Sequence, residues 1–319
     1  MKALIIDRVS PVVAAGLKDY GVTVDTDILP SREKLLTLLP QYDLLVMRVD
    51  PKLDKALLDA TAQRVKMIAV CSAGTNHIDL TYANQLGLKI QNAPGINYNA
   101  VAELTISKLL DLSRMTMTAD AEVQREGIWN KYKYTGHELR GHVLGIVGFG
   151  KIGRRVAALA QAFEMTTLAY DPFLSSAECG ALGTTLLPQL DDLLTQSDYI
   201  TIHTPMTPET KGMISEHEFA LMKPGAIIVN CARGGIVDEA AALAALKSGK
   251  IAGLGLDVLS GELAGKGLGD NATLESPLFG QHGFIVSPHI GGSTHEAYDE
   301  IGRFIVQEVA EFYGLTKNG

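Results

Sequence analysis

Cysteine is scarce. Cys71, Cys179 and Cys231 are spread over 319 positions, too few and too scattered for a disulfide framework or a Cys-x-x-Cys metal site. Basic residues are outnumbered, 28 against 36 acidic, giving a net charge of −8. A protein that binds a phosphate backbone carries a basic excess, so nucleic acid is not expected as the main partner. No run reaches the ~20 apolar residues that span a bilayer, so no membrane partner is expected either. The chain meets an acid at Asp7 before any long apolar region, and no cleavage signal follows. A secretory signal peptide is therefore not expected. Short repeats and low-complexity tracts are absent too. What these absences leave is a globular protein of a reducing compartment, expected in the cytoplasm.

Apolar residues make up 46% of the chain and charged residues 20%, enough to bury a core. At ~150 residues per domain the length suggests two domains. Glycine is plentiful at 32, without the G-X-Y period of collagen. Short β-branched runs predict strands at Lys2 to Asp7, Leu44 to Met47, Val65 to Val70 and Leu88 to Gln91. A second series comes after them at Val143 to Val147, Thr166 to Tyr170, Tyr199 to His203, Ala226 to Asn230, Gly253 to Val258 and Phe284 to Ser287. Most are continuous apolar runs, as in parallel strands covered on both faces. Helices are expected between them, for example Ile152 to Phe163 and Glu239 to Lys247. The β-α-β rhythm predicts an α/β fold with two doubly wound parallel sheets. Between the two series, Asn92 to Ala100 is rich in turn residues, and one long helix is expected from about Val101 to Met117. Its apolar residues keep helical spacing only loosely, which suits a helix covered on several sides. A last helix, roughly Thr294 to Tyr313, could join either sheet.

The strand ending at Val147 runs into Gly148-Phe-Gly150-Lys-Ile-Gly153, and a helix opens at once. In that context G-x-G-x-x-G is a dinucleotide signal. Gly148 permits the tight turn, Gly150 lets a pyrophosphate approach the backbone, and Gly153 lets helix and strand pack closely. The helix N-terminus favours the anion. The next strand ends at Asp171, 18 residues beyond Gly153. An acid there accepts from ribose hydroxyls and repels a 2′-phosphate, so NAD is expected over NADP. The plainer alternative is a glycine turn with Asp171 as a helix cap.

Three further motifs sit at strand ends, where open α/β sheets place their ligands. Arg233 comes after the strand ending at Asn230, and its guanidinium offers a planar fork to a carboxylate. Glu262 comes after Asp257, and His289 after Ser287. Taken singly, Arg233 could be a surface ion pair, Glu262 a solvated loop residue and His289 a turn residue. Taken together with a dinucleotide fold, they suit hydride transfer to a carbonyl beside a carboxylate. Cys and His do not cluster as metal ligands, so no metal is expected and a zinc-dependent alcohol dehydrogenase is excluded.

Over essentially its whole length the sequence resembles the D-isomer-specific 2-hydroxyacid dehydrogenase family. The resemblance rests on Gly148 to Gly153, His203 to Thr210, Met222 to Gly225, Asn230 to Asp238, Asp257 to Glu262 and Ser287 to Thr294. Within the family it is most similar to the branch that oxidises 3-phosphoglycerate in serine biosynthesis. Ala73 to Asp79, Asn92 to Pro94, Ala102 to Thr105, Gly127 to Lys131 and Gly291 to Thr294 carry that likeness.

The resemblance implies roles. Arg233 would bind the substrate carboxylate and carbonyl oxygen. His289 would be the general acid in ketone reduction and the general base in alcohol oxidation. Glu262 would pair with His289 and favour its protonated form. Ala73, Gly74 and Thr75 would hold the substrate carboxylate through backbone N–H groups, and Arg48 and Lys131 could meet a phosphate. NAD contacts would fall on Thr75, Gly148, Gly150, Lys151, Ile152, Gly153, Asp171, Thr204, Cys231, Ala232, Arg233, Asp257, His289, Gly291 and Gly292. A Rossmann-like NAD domain at about residues 100–289 would be inserted in a smaller, flavodoxin-like substrate domain at 1–99 and 290–319. A homodimer built on the Val101 to Met117 helix is also implied.

The chain departs from the family pattern in places. Leu263 stands where the family usually has Pro, and Gly265 to Asp270 looks like an insertion. Val49 and Asp50 come after Arg48 where small polar residues are common, and an acid beside a phosphate is unfavourable. For Arg48 and Lys131 the alternative is two exposed cations on a soluble surface. Only Gly314 to Gly319 come after the last helix, so serine feedback through an added domain is not expected. Two alternatives remain: a general 2-ketoacid or hydroxypyruvate/glyoxylate reductase with the same residues, and a non-enzymatic NAD-sensing binding protein. The acidic charge and the lack of a basic tail argue against the second.

Overall fold

The computed structural model describes residues 1–263 and 273–317. The candidate insertion Gly265 to Asp270 lies outside the described residues. The chain divides into two compact units, Met1–Asn97 with Gly292–Gly319, and Tyr98–Gly291.

The first unit carries β1 (Lys2–Ile5), β2 (Thr23–Thr26), β3 (Leu44–Met47), β4 (Met67–Val70) and β5 (Lys89–Gln91). They form a parallel sheet in the order β2-β1-β3-β4-β5. Side chains alternate between two buried faces. Leu4, Leu45, Met47, Ile68 and Val70 pack on one side, and Ala3, Ile5, Leu44, Val46 and Met67 on the other. Burial on both faces is why these strands read as unbroken apolar runs. The last helix, His295–Tyr313, is capped by Thr294, whose hydroxyl accepts from Ala297 N–H, and it ends at Gly314 with φ +62°. Ile301, Ile305 and Val309 pack beside Val13 and Leu17, which places this helix with the first sheet.

The second unit carries β6 (Val143–Val147), β7 (Thr166–Tyr170), β8 (Thr185–Leu186), β9 (Tyr199–Ile202), β10 (Ala226–Asn230), β11 (Ile251–Leu256) and β12 (Phe284–Val286). The order is β12-β11-β10-β9-β6-β7-β8, again parallel. In β10, Ala226 and Ile228 face one core and Ile227 and Val229 the other. The strand order reverses at β6, so β6 and β9 flank the crevice where such sheets bind ligands.

Two strands escape the sequence pattern. β2 is a polar edge strand, Thr-Val-Asp-Thr, and β8 is a two-residue edge strand. An edge strand is buried on fewer sides, so it needs no apolar run. The single helix expected from Val101 to Met117 is two helices, Tyr98–Arg114 and Thr116–Glu126. They break at Met115, which is left-handed with φ +53°. Spacing alone does not reveal a break at a residue with good helix propensity. The first of the two is buried within its own unit, with Val101, Ala102, Ile106 and Leu109 beside Val156 and Ala160. Its loose apolar pattern is therefore explained by core packing.

Among the described residues, no helix is long and apolar enough to cross a membrane, and no cluster of His, Cys, Asp or Glu could hold a metal ion.

Candidate active site

The site builds outward from the carboxyl end of β6. Gly148 has φ +88°, and a Cβ there would lie 2.9 Å from the His203 carbonyl carbon and oxygen. The loop after β6 thus lies against the loop after β9. Gly153 sits in the helix Lys151–Ala162, where a Cβ would fall 2.2 Å from the Gly148 oxygen. Among the described residues, a Cβ at Gly150, the N-cap, would meet no atom within 4 Å, and no side chain caps the helix. Open space thus faces unpaired helical N–H groups, an arrangement suited to an anion.

Asp171 ends the turn after β7. Its Oδ2 accepts from Phe149 N–H at 2.9 Å and its Oδ1 from Phe173 N–H at 3.0 Å. A carboxylate has about four acceptor positions, so capacity remains for two ribose hydroxyls. Thr204 Oγ1 and both ring nitrogens of His203 are covered yet have no hydrogen-bond partner among the described residues. Burial drives the His203 imidazole down to about 3, so it is neutral near pH 7. Unpartnered polar atoms beside a glycine cradle are groups that a dinucleotide could satisfy. The residues therefore fit NAD. We expect the wild type to prefer NAD strongly over NADP, and Asp171→Ala to erode that preference at least tenfold. Steady-state kcat/KM with each cofactor checks this, and equal values in the wild type would refute it.

After β10, Asn230 closes a turn on itself. Its Oδ1 accepts from Ala232 N–H at 2.9 Å and its Nδ2 donates to the Arg233 carbonyl at 2.9 Å. Arg233 is half-buried, and its Nη1 donates to the Ala232 carbonyl at 2.7 Å. Burial lowers the guanidinium's pKa, and the Glu262 charge opposes that shift. A Cβ on Gly234 would lie 2.2 Å from the Leu259 oxygen, so this loop sits directly on the segment leading to Glu262.

Asp257, at the end of β11, is 1% exposed. Its Oδ1 accepts from Ser287 Oγ at 2.5 Å and from Ile290 N–H at 2.9 Å, and its Oδ2 from Gly291 N–H at 2.7 Å. The His289 N–H donates to the Asp257 carbonyl at 2.9 Å. This clamp holds His289 in the left-handed region, with φ +52°. A non-glycine residue kept there costs about 1–2 kcal/mol and persists where its surroundings fix it.

Glu262 lies on the short helix Ser260–Leu263. That helix is tied down by Glu239, which accepts from Ser260 N–H at 2.7 Å and from Ser276 Oγ at 3.0 Å. Glu262 Oε1 accepts from Leu259 N–H at 3.0 Å, and its Oε2 meets His289 Nδ1 at 2.8 Å. The Glu262 side chain is 17% exposed and that of His289 51%. A carboxylate on Nδ1 fixes the tautomer and leaves Nε2 as the nitrogen that exchanges a proton.

In the first unit, Ala73, Gly74 and Thr75 come after β4. Asn92 Nδ2 donates to the Ala73 carbonyl at 2.6 Å and Ser72 Oγ to the Gly74 carbonyl at 2.8 Å. The loop's carbonyls are thereby engaged, and among the described residues nothing accepts from its three N–H groups. Arg48 comes after β3, and Gly292 begins the return of the chain to this unit. Lys131 lies in an exposed turn of the second unit, its ammonium 5.1 Å from the Tyr132 ring centroid. The structure does not join it to Arg233, Glu262 or His289. The sequence marks Arg233, Asp257, Glu262 and His289, but not the side chains that hold their segments: Asn230 at Arg233, Ser287 at Asp257 and Glu239 beside Glu262. Asn230 and Ser287 do stand inside the strand-end motifs that carry Arg233 and His289. Nothing in the spacing marks Glu239.

Glycine cradle and acid together describe a dinucleotide-binding α/β site, and the comparisons with known proteins show an NAD binding domain. The chain belongs to the D-isomer specific 2-hydroxyacid dehydrogenase family, whose NAD binding domain model matches residues 106–291. It is 38% identical over 309 residues to the D-3-phosphoglycerate dehydrogenase of Archaeoglobus fulgidus, covering 97% of this chain and 56% of that protein. It is 40% identical over 306 residues to the enzyme of that name from Mycobacterium tuberculosis, covering 96% and 56%. The chain thus spans about half the length of the curated relatives it matches. Among solved structures, D-2-hydroxyisocaproate dehydrogenase aligns with a TM-score of 0.85 at 28% identity, covering 98% of this chain and 97% of that one. Aquifex aeolicus D-lactate dehydrogenase, complexed with NAD and lactic acid, gives 0.81 at 29%, covering 98% and 95%.

Proposed function

We propose that this chain is an NAD-dependent dehydrogenase of a D-2-hydroxy acid, with 3-phosphoglycerate as substrate and 3-phosphohydroxypyruvate as product. The observation that carries the reading is the His289–Glu262 pair, 2.8 Å apart, on the segments after β12 and β11 of a dinucleotide sheet. The substrate assignment is supported by the relatives named D-3-phosphoglycerate dehydrogenase.

In the alcohol-to-ketone direction His289 Nε2 takes the hydroxyl proton as the C–H hydride leaves. Glu262 stabilises the imidazolium that forms. Arg233 holds the substrate carboxylate and draws the reacting oxygen toward its guanidinium, where it stabilises developing charge. The nicotinamide, when bound, supplies the hydride acceptor. Thr75, the 148–153 loop, Asp171, Thr204, residues 231–233, Asp257 and residues 289–292 are assigned to the cofactor. The first unit is assigned as the substrate domain, with the N–H groups of 73–75 on the carboxylate and Arg48 and Lys131 on the phosphate. Cytoplasmic placement belongs to the same reading.

The test is a panel assay monitored by NADH absorbance. Catalytic efficiency with 3-phosphoglycerate and 3-phosphohydroxypyruvate should exceed that with D-glycerate, D-lactate, hydroxypyruvate, glyoxylate and pyruvate. A preference for unphosphorylated acids makes the chain a general 2-ketoacid reductase. No turnover with any of them, despite NAD binding, makes it an NAD-sensing binder.

A homodimer is part of the proposal. The buried Tyr98–Arg114 helix does not support it, because its apolar residues are used within the chain's own core. The support lies in the segment on its C-terminal side. Met117, Ile128, Trp129 and Tyr132 are exposed, Trp129 at 87%. A large apolar group left open on a chain is commonly covered by a second copy across a two-fold axis. Light scattering should give twice the chain mass at micromolar concentration, and Trp129→Glu should shift it toward monomer. A wild-type monomer would end this proposal.

A further inference from the structure

In the first sheet the strand order reverses at β1, which lies between β2 and β3. The carboxyl ends of β1 and β3 therefore flank that sheet's ligand crevice. Asp7 comes after β1 and Arg48 after β3. Asp7 Oδ2 accepts from the N–H groups of Arg48, Val49 and Asp50 at 2.9, 2.6 and 2.9 Å. Ser72 Oγ donates to the Arg48 carbonyl at 3.1 Å. The main chain of Arg48 is thus fixed from both neighbouring strands.

Its side chain is fixed separately. The guanidinium carbon lies 4.5 Å from the centroid of the Tyr298 ring, and Nη2 donates to Ser293 Oγ at 3.3 Å. Tyr298 stands in the first turns of the last helix. Next to it, Asp299 accepts from Ser10 Oγ at 2.5 Å, which ties this helix end to the loop after β1. A ring stacked on a guanidinium covers a face and leaves the in-plane N–H edge open. Arg48 has five N–H donors, and one is spent on Ser293. Among the described residues no carboxylate pairs with its guanidinium. What remains is a planar fork, oriented and uncommitted, and that shape fits two oxygens of a phosphate.

We infer that Tyr298 is a specificity-determining positioning residue: its ring holds the Arg48 guanidinium edge-on to the substrate phosphate and so selects phosphorylated over unphosphorylated 2-hydroxy acids. The inference rests on the reading that Arg48 meets the substrate phosphate. It adds the residue that aims Arg48.

The experiment compares wild type with Tyr298→Phe, Tyr298→Leu and Tyr298→Gln on the full chain. Tyr298→Leu and Tyr298→Gln should raise KM for 3-phosphoglycerate about three- to tenfold, the range expected on losing one stacked cation. They should leave kcat, KM for NAD and KM for D-glycerate within about twofold, since the stack touches neither the cofactor nor the reacting carbon. Tyr298→Phe keeps the ring and should behave as wild type. Using two ring-removing variants guards against one that fails to fold. Unchanged KM for 3-phosphoglycerate in the ring-removing variants would overturn the inference, as would an equal rise for D-glycerate. A rise of the same size in Tyr298→Phe would overturn it too, since the ring would not be the cause. Inorganic phosphate, titrated while observing arginine Nε–H resonances, separates this from the substrate reading. If wild type does not oxidise 3-phosphoglycerate, that reading falls. The stack then stands only if phosphate binds wild type saturably and binds Tyr298→Leu several-fold more weakly. Equal binding in the two, or none in wild type, would overturn it.

Discussion

Replacing His289 by alanine is expected to lower kcat by about 10²- to 10⁴-fold, the usual contribution of a positioned general acid–base group. NADH binding, monitored by fluorescence, should stay within about threefold, because many other residues are assigned to the cofactor. The imidazole is held by Glu262 at Nδ1, so its loss removes the proposed proton carrier and little structural support. The backbone here is left-handed, and alanine tolerates that region poorly. Asparagine tolerates it better, so His289→Asn is the companion variant. It should show the same fall in kcat with a smaller change in Tm. Near-wild-type turnover in either variant would mean that His289 does not carry the proton.

Arg233→Lys is expected to lower kcat/KM for the hydroxy acid by about 10²-fold, with NADH binding again preserved. Lysine keeps the charge but lacks the planar fork that matches a carboxylate, and it cannot reproduce the paired N–H geometry. Truncating a desolvated, charge-assisted contact costs about 2–5 kcal/mol, which brackets this loss. The half-buried setting of Arg233 strengthens the expectation, since burial weakens screening around the guanidinium. Arg233→Ala should lose more, and added guanidinium should restore part of its activity. A lysine variant with wild-type kcat/KM would show that the substrate carboxylate binds elsewhere.

Much of the fold is legible in the residues because both sheets are covered on both faces. β3, β6 and β10 fall where apolar runs place them. β2 and β8 do not, since edge strands can be polar and short. The break at Met115 escaped for a different reason. Methionine is a good helix former, and its left-handed backbone is imposed by how the chain packs around it. Gly148, Gly150 and Gly153 are legible because a tight turn, a ligand's approach and helix–strand contact all act within one short motif.

The sequence by itself determined the parallel α/β class and the glycine cradle with its acid at Asp171, and it singled out Arg233, Glu262 and His289 as candidate groups. Each of these is written in local spacing or in residue type. Only the tertiary structure decided how those groups are held. Asp257 clamps a turn far along the chain, Asn230 closes its own loop, Glu239 anchors the segment bearing Glu262, and Tyr298 stacks on Arg48 across most of the chain. A carboxylate, an amide or an aromatic ring finds its partner through strand order and helix docking. Those depend on which surfaces the whole chain can bury together, and no local spacing records them.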